Sequence, residues 1–113
     1  MAEKSFFLEF FGDTPFYRVI DFLLEHRLED FTKTEIAKQS DVSWATLYNH
    51  WDRLEEFNMV KVTRKVGNVS LYQLNQQEPI VKQLMQMELM LIKEHADKAE
   101  EKMKVKAIAK RRQ

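Results

Sequence analysis

The chain has 113 residues, 44% hydrophobic and 32% charged, with no cysteine. That length holds one compact domain and one further element, and the missing cysteine excludes disulfides and thiolate metal sites. The formal net charge is zero, but it is unevenly placed: residues 1–92 carry 10 basic and 14 acidic side chains, and residues 93–113 carry 8 and 4. A mildly acidic body with a basic end must bind any polyanion through local patches and not through overall charge. No apolar run reaches the roughly 20 residues that a membrane span needs. The first residues have no signal-peptide pattern, so a cytoplasmic, intracellular chain is expected.

Seven of the eight phenylalanines precede residue 32, which predicts an aromatic core built by the N-terminal third. Ser5 is placed to cap a short helix over 6–11 that stops at Gly12. Thr14-Pro15 is a second start signal, a capping threonine before proline at the first helical position. The helix it opens runs to about His26 and is apolar on more than one side. Residues 28–31 read as a connector. Thr32-Lys-Thr-Glu35 fits a capping box and opens a short helix ending near Gln39. Ser40-Asp-Val42 is a turn in which Asp41 takes positive φ. Ser43 caps the next helix, which ends near Phe57, with Asn58 as its left-handed stop.

The period then changes to two. Val60, Val62, Val69 and Leu71 alternate with polar positions around Gly67-Asn68, the pattern of a β-hairpin. Pro79 starts a last helix, expected to run to about Met103. The fold class is therefore mainly α with a small β-hairpin: a winged helix-turn-helix plus a long C-terminal dimerisation helix. The expected domains are 1–77 for the winged unit, 78–103 for the helix and 104–113 for a basic, disordered tail.

The helix-turn-helix sets the functional expectation. Ala37 is the small residue that lets the paired helices approach, with Ile36, Val42 and Leu47 as their shared contact. Leu47, Trp51 and Leu54 turn one face of the second helix inward. Trp44, Ala45, Thr46, Tyr48 and Asn49 are then the candidate base-facing residues of a helix lying in the major groove. Asn49 suits a bidentate contact to adenine, and Ala45 and Thr46 suit a thymine methyl, a set that leans toward A·T-containing sites. Tyr48 and Ser43 have hydroxyls for phosphate. The wing residues Lys61, Arg64, Lys65 and Asn68 are expected on the backbone or in the minor groove, with Lys33, Thr34, Lys38 and Arg53 as further phosphate contacts.

Residues 14–75 resemble an archaeal-type winged helix-turn-helix transcriptional regulator. The likeness is carried by Thr-Pro-Phe-Tyr-Arg-Val-Ile-Asp-Phe-Leu-Leu-Glu (14–25), Thr-Lys-Thr-Glu-Ile-Ala (32–37), Val-Ser-Trp-Ala-Thr-Leu-Tyr (42–48), Arg-Leu-Glu-Glu-Phe-Asn-Met-Val (53–60) and the hairpin 63–75. Asp41 and Asn58 depart from the glycines usual in such proteins, and the recognition helix has only one basic residue, Arg53. The resemblance implies double-stranded DNA as partner and regulation of transcription.

In the final helix, Met85, Leu89, Ile92, Ala96, Ala99 and Met103 recur at spacings of 4 and 3, a heptad seam about 27 Å long at 1.5 Å per residue. A second stripe comprises Ile80, Leu84, Met87 and Leu91. One stripe is expected to cover the core and the seam to pair with a second copy as a homodimer. The histidines lack ligand spacing, and no nucleophile triad, paired carboxylates or phosphate-cradling loop is present, so no metal, no cofactor and no enzymatic activity are expected. Two other functions fit the same sequence: an adaptor in DNA partition or replication, and a protein–protein module that does not bind DNA.

Overall fold

The computed structural model describes residues 4–111. Five helices and one hairpin follow in the order α1 (Phe6–Phe11), α2 (Pro15–Glu25), α3 (Lys33–Gln39), α4 (Trp44–Glu56), β1 (Val60–Val66), β2 (Val69–Leu74) and α5 (Pro79–Arg111). The helix starts are fixed by side-chain oxygens that accept otherwise orphaned amides. Ser5 Oγ accepts from Leu8 at 3.1 Å, Thr14 Oγ1 from Tyr17 at 3.3 Å, Thr32 Oγ1 from Glu35 at 3.1 Å and Ser43 Oγ from Thr46 at 3.1 Å. Asp41 (φ 57°) and Asn58 (φ 53°) take the left-handed conformation expected of them.

The core lies between α2, α3, α4, the inner half of the hairpin and the start of α5. Leu23, Leu24, Ile36, Leu47, Leu54, Leu74 and Val81 are fully buried, with Phe7 of α1 closing one end. Ala37 is buried where α3 meets α4, as close approach of the pair requires. His50 packs toward Phe16 of α2, ring centroids 5.6 Å apart. The connector before α3 has more structure than expected. Phe31 forms an isolated β-bridge to Tyr72 through reciprocal bonds of 2.8 and 2.7 Å, which ties the connector to β2. Tyr72 thereby turns inward, its ring 4.8 Å from Trp51.

Strands β1 and β2 pair antiparallel from Val60↔Leu74 to Val66↔Val69, with a bulge between Val62 and Arg64. The strict two-residue alternation fails there. Val62 and Val69 are exposed along with Val66, because the outer half of the hairpin projects past every helix that could cover it.

Helix α5 differs from the sequence expectation twice. Its covered face is the row Val81, Glu88 and His95, with Leu84, Met85 and Leu91 partly buried beside it. Residues spaced by seven share one helix face, and the polar members of this row hide it from a search for apolar stripes. The two apolar stripes therefore flank the covered face: Met85 is half covered by its own domain, while Leu89, Ile92, Ala96, Ala99 and Met103 stay exposed. The helix also continues beyond Met103 to Arg111, so the tail expected to be disordered from residue 104 is helical through Arg111. Lysine, alanine and arginine are strong helix formers, and positive charge complements the C-terminal end of the helix dipole. Residues 112 and 113 of that tail lie outside the described residues.

Candidate nucleic-acid interface

Three elements build the candidate interface: α3, the N-terminal half of α4, and the hairpin. α4 is anchored by Leu47, Trp51 and Leu54, all buried, so its opposite side must face outward. Ala45, Asn49, Asp52 and Glu56 follow one another at spacings of 4, 3 and 4 and form that outward row, all exposed. Trp44 and Tyr48 line one flank, 51% and 66% exposed, ring centroids 6.5 Å apart. Trp44 also shares a cleft of about 360 Å³ with Thr34, Ala37, Lys38 and Val42. That brings Thr34 and Lys38 of α3 to the start of α4.

The row changes character along its length. Its first half offers Ala45 and Asn49, and its second half offers two carboxylates. A polyanion is attracted to the N-terminal half, where the helix dipole is positive, and repelled from the other. The N-terminal turns are therefore the part of the helix whose charge suits a polyanion.

Ser43 and Thr46 are less free than the sequence suggests. Ser43 caps α4 and donates its own proton to Thr46 Oγ1 at 2.8 Å, so both hydroxyls are engaged at the helix start. Lys33 is half-buried, its Nζ 4.8 Å from the Trp51 ring centroid and 5.6 Å from that of Tyr72. Arg53 lies on the other flank of α4, its guanidinium 4.3 Å over Phe16. Both cations sit on aromatic faces, which fixes their position and leaves their charge at the surface. Lys61, Lys65 and Asn68 are exposed on the hairpin, with Lys65 and Asn68 next to the turn.

Arg64, on the bulged strand β1, is held by the connector before α3. Its Nε donates to Asp30 Oδ2 at 3.0 Å and its second guanidinium nitrogen to Asp30 Oδ1 at 3.3 Å, while the Thr63 hydroxyl donates to Oδ2 at 2.6 Å. These hydrogen bonds, Arg64 first and Thr63 second, hold the Asp30 carboxyl below its usual range, and the same pairing raises Arg64. Asp30 thus fastens the bulged strand to the connector before α3. A similar fastening sets the turn: Arg18 of α2 donates from Nε to Asp13 at 2.6 Å and from Nη1 to the Asp41 carbonyl at 3.0 Å. Neither Asp30 nor Arg18 stood out in the sequence, because each acts across a separation that no local spacing reveals.

No group of three or more His, Cys, Asp or Glu side chains among the described residues is arranged to hold a metal ion. No described helix is long and apolar enough to cross a membrane.

No protein-family model matches the chain, and no curated protein sequence matches it. Solved structures do. A mutant of ZitR from Lactococcus lactis in apo form is 17% identical, with 82% of this chain and 74% of that one covered at a TM-score of 0.59. MepR, a transcription regulator of the Staphylococcus aureus multidrug efflux pump MepA, is 17% identical over 89% of this chain and 78% of its own, TM-score 0.53. AntR, an antimony-specific transcriptional repressor, is 21% identical over 71% and 68%, TM-score 0.52. The shared feature is the fold. The chain is a winged helix, mainly helical, with a two-stranded antiparallel wing and a long C-terminal helix.

Proposed function

We propose that the protein binds double-stranded DNA sequence-selectively as a homodimer and regulates transcription. The observation that carries this reading is α4. Its inner face is locked into the core by Leu47, Trp51 and Leu54, and its N-terminal turns present Ala45, Tyr48 and Asn49 outward beside a fastened wing. The recognition segment 43–57 enters the major groove by its N-terminal end, with Asn49 on adenine and Ala45 on a thymine methyl. The wing, 60–74, lies along the backbone or minor groove, with Lys61, Lys65 and Asn68 as its contacts. Thr34, Lys38 and the half-buried Lys33 add phosphate contacts from α3.

The resemblance of segments 14–75 to archaeal-type regulators and the fold shared with bacterial ones support a regulatory and non-enzymatic role. The exposed strip Leu89, Ile92, Ala96, Ala99 and Met103 supports a second copy along α5, which places two recognition helices on a pseudo-palindrome. A cytoplasmic location follows from that role.

The deciding experiment is selection of bound fragments from sheared genomic DNA by the purified protein, followed by footprinting. A common pseudo-palindromic motif upstream of genes is expected. Fragments sharing no motif would point to a structural role on DNA, and no salt-sensitive retention of any duplex would point to a protein–protein module.

A further inference from the structure

The junction of α1, α2 and α5 holds a carboxylate that DNA binding leaves without a task. Glu88 lies at the centre of the inner face of α5 and is only 9% exposed. Its carboxylate has no hydrogen-bond or ion-pair partner among the described residues. Two clefts open beside it, one of about 400 Å³ toward Leu24 and Arg27, the other of about 380 Å³ toward Phe6 and Phe7. Glu25, Glu88 and Ile92 line both.

The neighbouring charges do not neutralise Glu88. Asp21, one turn before Glu25 on α2, is 8% exposed and accepts the Ser5 hydroxyl at 2.8 Å. Lys4, which lines the second cleft, pairs with Asp13 at 3.6 Å, and His26, which lines the first, lies 3.3 Å from Glu29. Arg27 lines the first cleft and draws Glu88 toward its charged form only through space. A buried carboxylate without a partner is costly, and a cation that reaches it offsets that cost. A small hydrated metal ion does not suit two carboxylates between aromatic and aliphatic walls, since hard cations take several oxygen ligands. An ammonium group on an apolar body suits both halves of the site.

We propose that this junction binds a small organic cation, an ammonium carried on an apolar or aromatic body, with Glu88 as its counter-ion and Glu25 at the mouth. The site does not rest on the DNA-binding reading, though its wall residues Leu89 and Ile92 also belong to the strip proposed to pair with a second copy. Its test is calorimetric titration of the full chain at neutral pH with phenethylammonium chloride, and with 2-phenylethanol as the neutral compound of like shape. The ammonium saturates at one per chain and binds at least about tenfold more tightly than the alcohol. In Glu88→Gln the preference for the ammonium disappears, and in Glu25→Gln it is reduced. Equal affinity for ammonium and alcohol, no saturable binding of the ammonium, or an undiminished preference in a folded Glu88→Gln protein would each overturn the proposal. Should Glu88→Gln melt below the parent, the comparison of the two compounds on the parent chain decides alone.

Discussion

Asn49 is the outward residue of α4 best suited to reading a base, because an amide can donate and accept in one plane and so matches the adenine edge. It is exposed and makes no side-chain hydrogen bond among the described residues. Asn49→Ala should therefore leave the melting temperature unchanged and lower discrimination between the selected site and random duplex by about 1–3 kcal/mol. Competition binding at fixed salt measures it, and unchanged selectivity would remove Asn49 from the reading set. Glu88 gives a prediction of another kind. Burial raises its pKa above the ordinary value near 4.5, with nearby Asp21 adding to the effect. The folded chain then holds this proton more tightly than the unfolded chain. Its contribution is most favourable at acid pH and is lost as pH rises from about 4.5 through the raised folded value. Glu88→Gln has no proton to lose. Its melting temperature should exceed that of the parent at neutral pH, and the difference should vanish at or below about pH 4, where both side chains are neutral. A difference independent of pH would mean that packing and not ionisation sets it.

At the level of elements, what was legible in the sequence is what local chemistry writes. Ser5, Thr14, Thr32 and Ser43 mark helix starts because a capping hydroxyl acts within three residues of its own position, and all four cap as read. Asp41 and Asn58 mark stops for a similarly local reason. The facing of α5 was not legible, since Glu88 and His95 occupy the row that apolar side chains would normally mark. His95 is kept there by stacking on Phe6, centroids 4.0 Å apart, a contact 89 positions away that no periodicity encodes. The Phe31–Tyr72 bridge and the Asp30–Arg64 fastening are non-local in the same way. In the candidate interface, residue types were readable and their engagements were not: Ser43, Thr46 and Arg64 bond within the protein. The acidic second half of the outward α4 row leads to its own prediction. Glu56 sits on that row with no bonded partner among the described residues, so Glu56→Lys should raise affinity for random duplex and steepen its salt dependence by about one counterion. Filter binding over a salt series measures the slope. An unchanged slope would mean that the C-terminal end of the outward row stays clear of phosphate.

For the whole molecule, affinity is a matter of number. One copy has few free cations near α4, with Lys38, Lys61 and Lys65 exposed and Lys33, Arg53 and Arg64 tied to protein groups. In the proposed homodimer, two copies held together would double the phosphate contacts and turn the second binding event into an intramolecular one. The long axis of 68 Å, against 29 and 22 Å for the others, reflects an α5 that runs well past its own domain. Every side chain from Ala96 to Lys106 is exposed there, with Met103 at 71%. Ala99 is exposed on the strip that continues Leu89 and Ile92, so a charge placed there tests pairing without disturbing the core. Ala99→Glu should sediment as a monomer at micromolar concentration where the parent sediments as a dimer, because facing carboxylates repel across a closely packed helix seam. Its winged domain should keep native circular dichroism, and the salt slope of its DNA binding should fall to about half. A parent that sediments as a monomer, or a variant that stays dimeric, would remove α5 as the pairing element. The salt slope would still report independently whether the winged domain binds DNA.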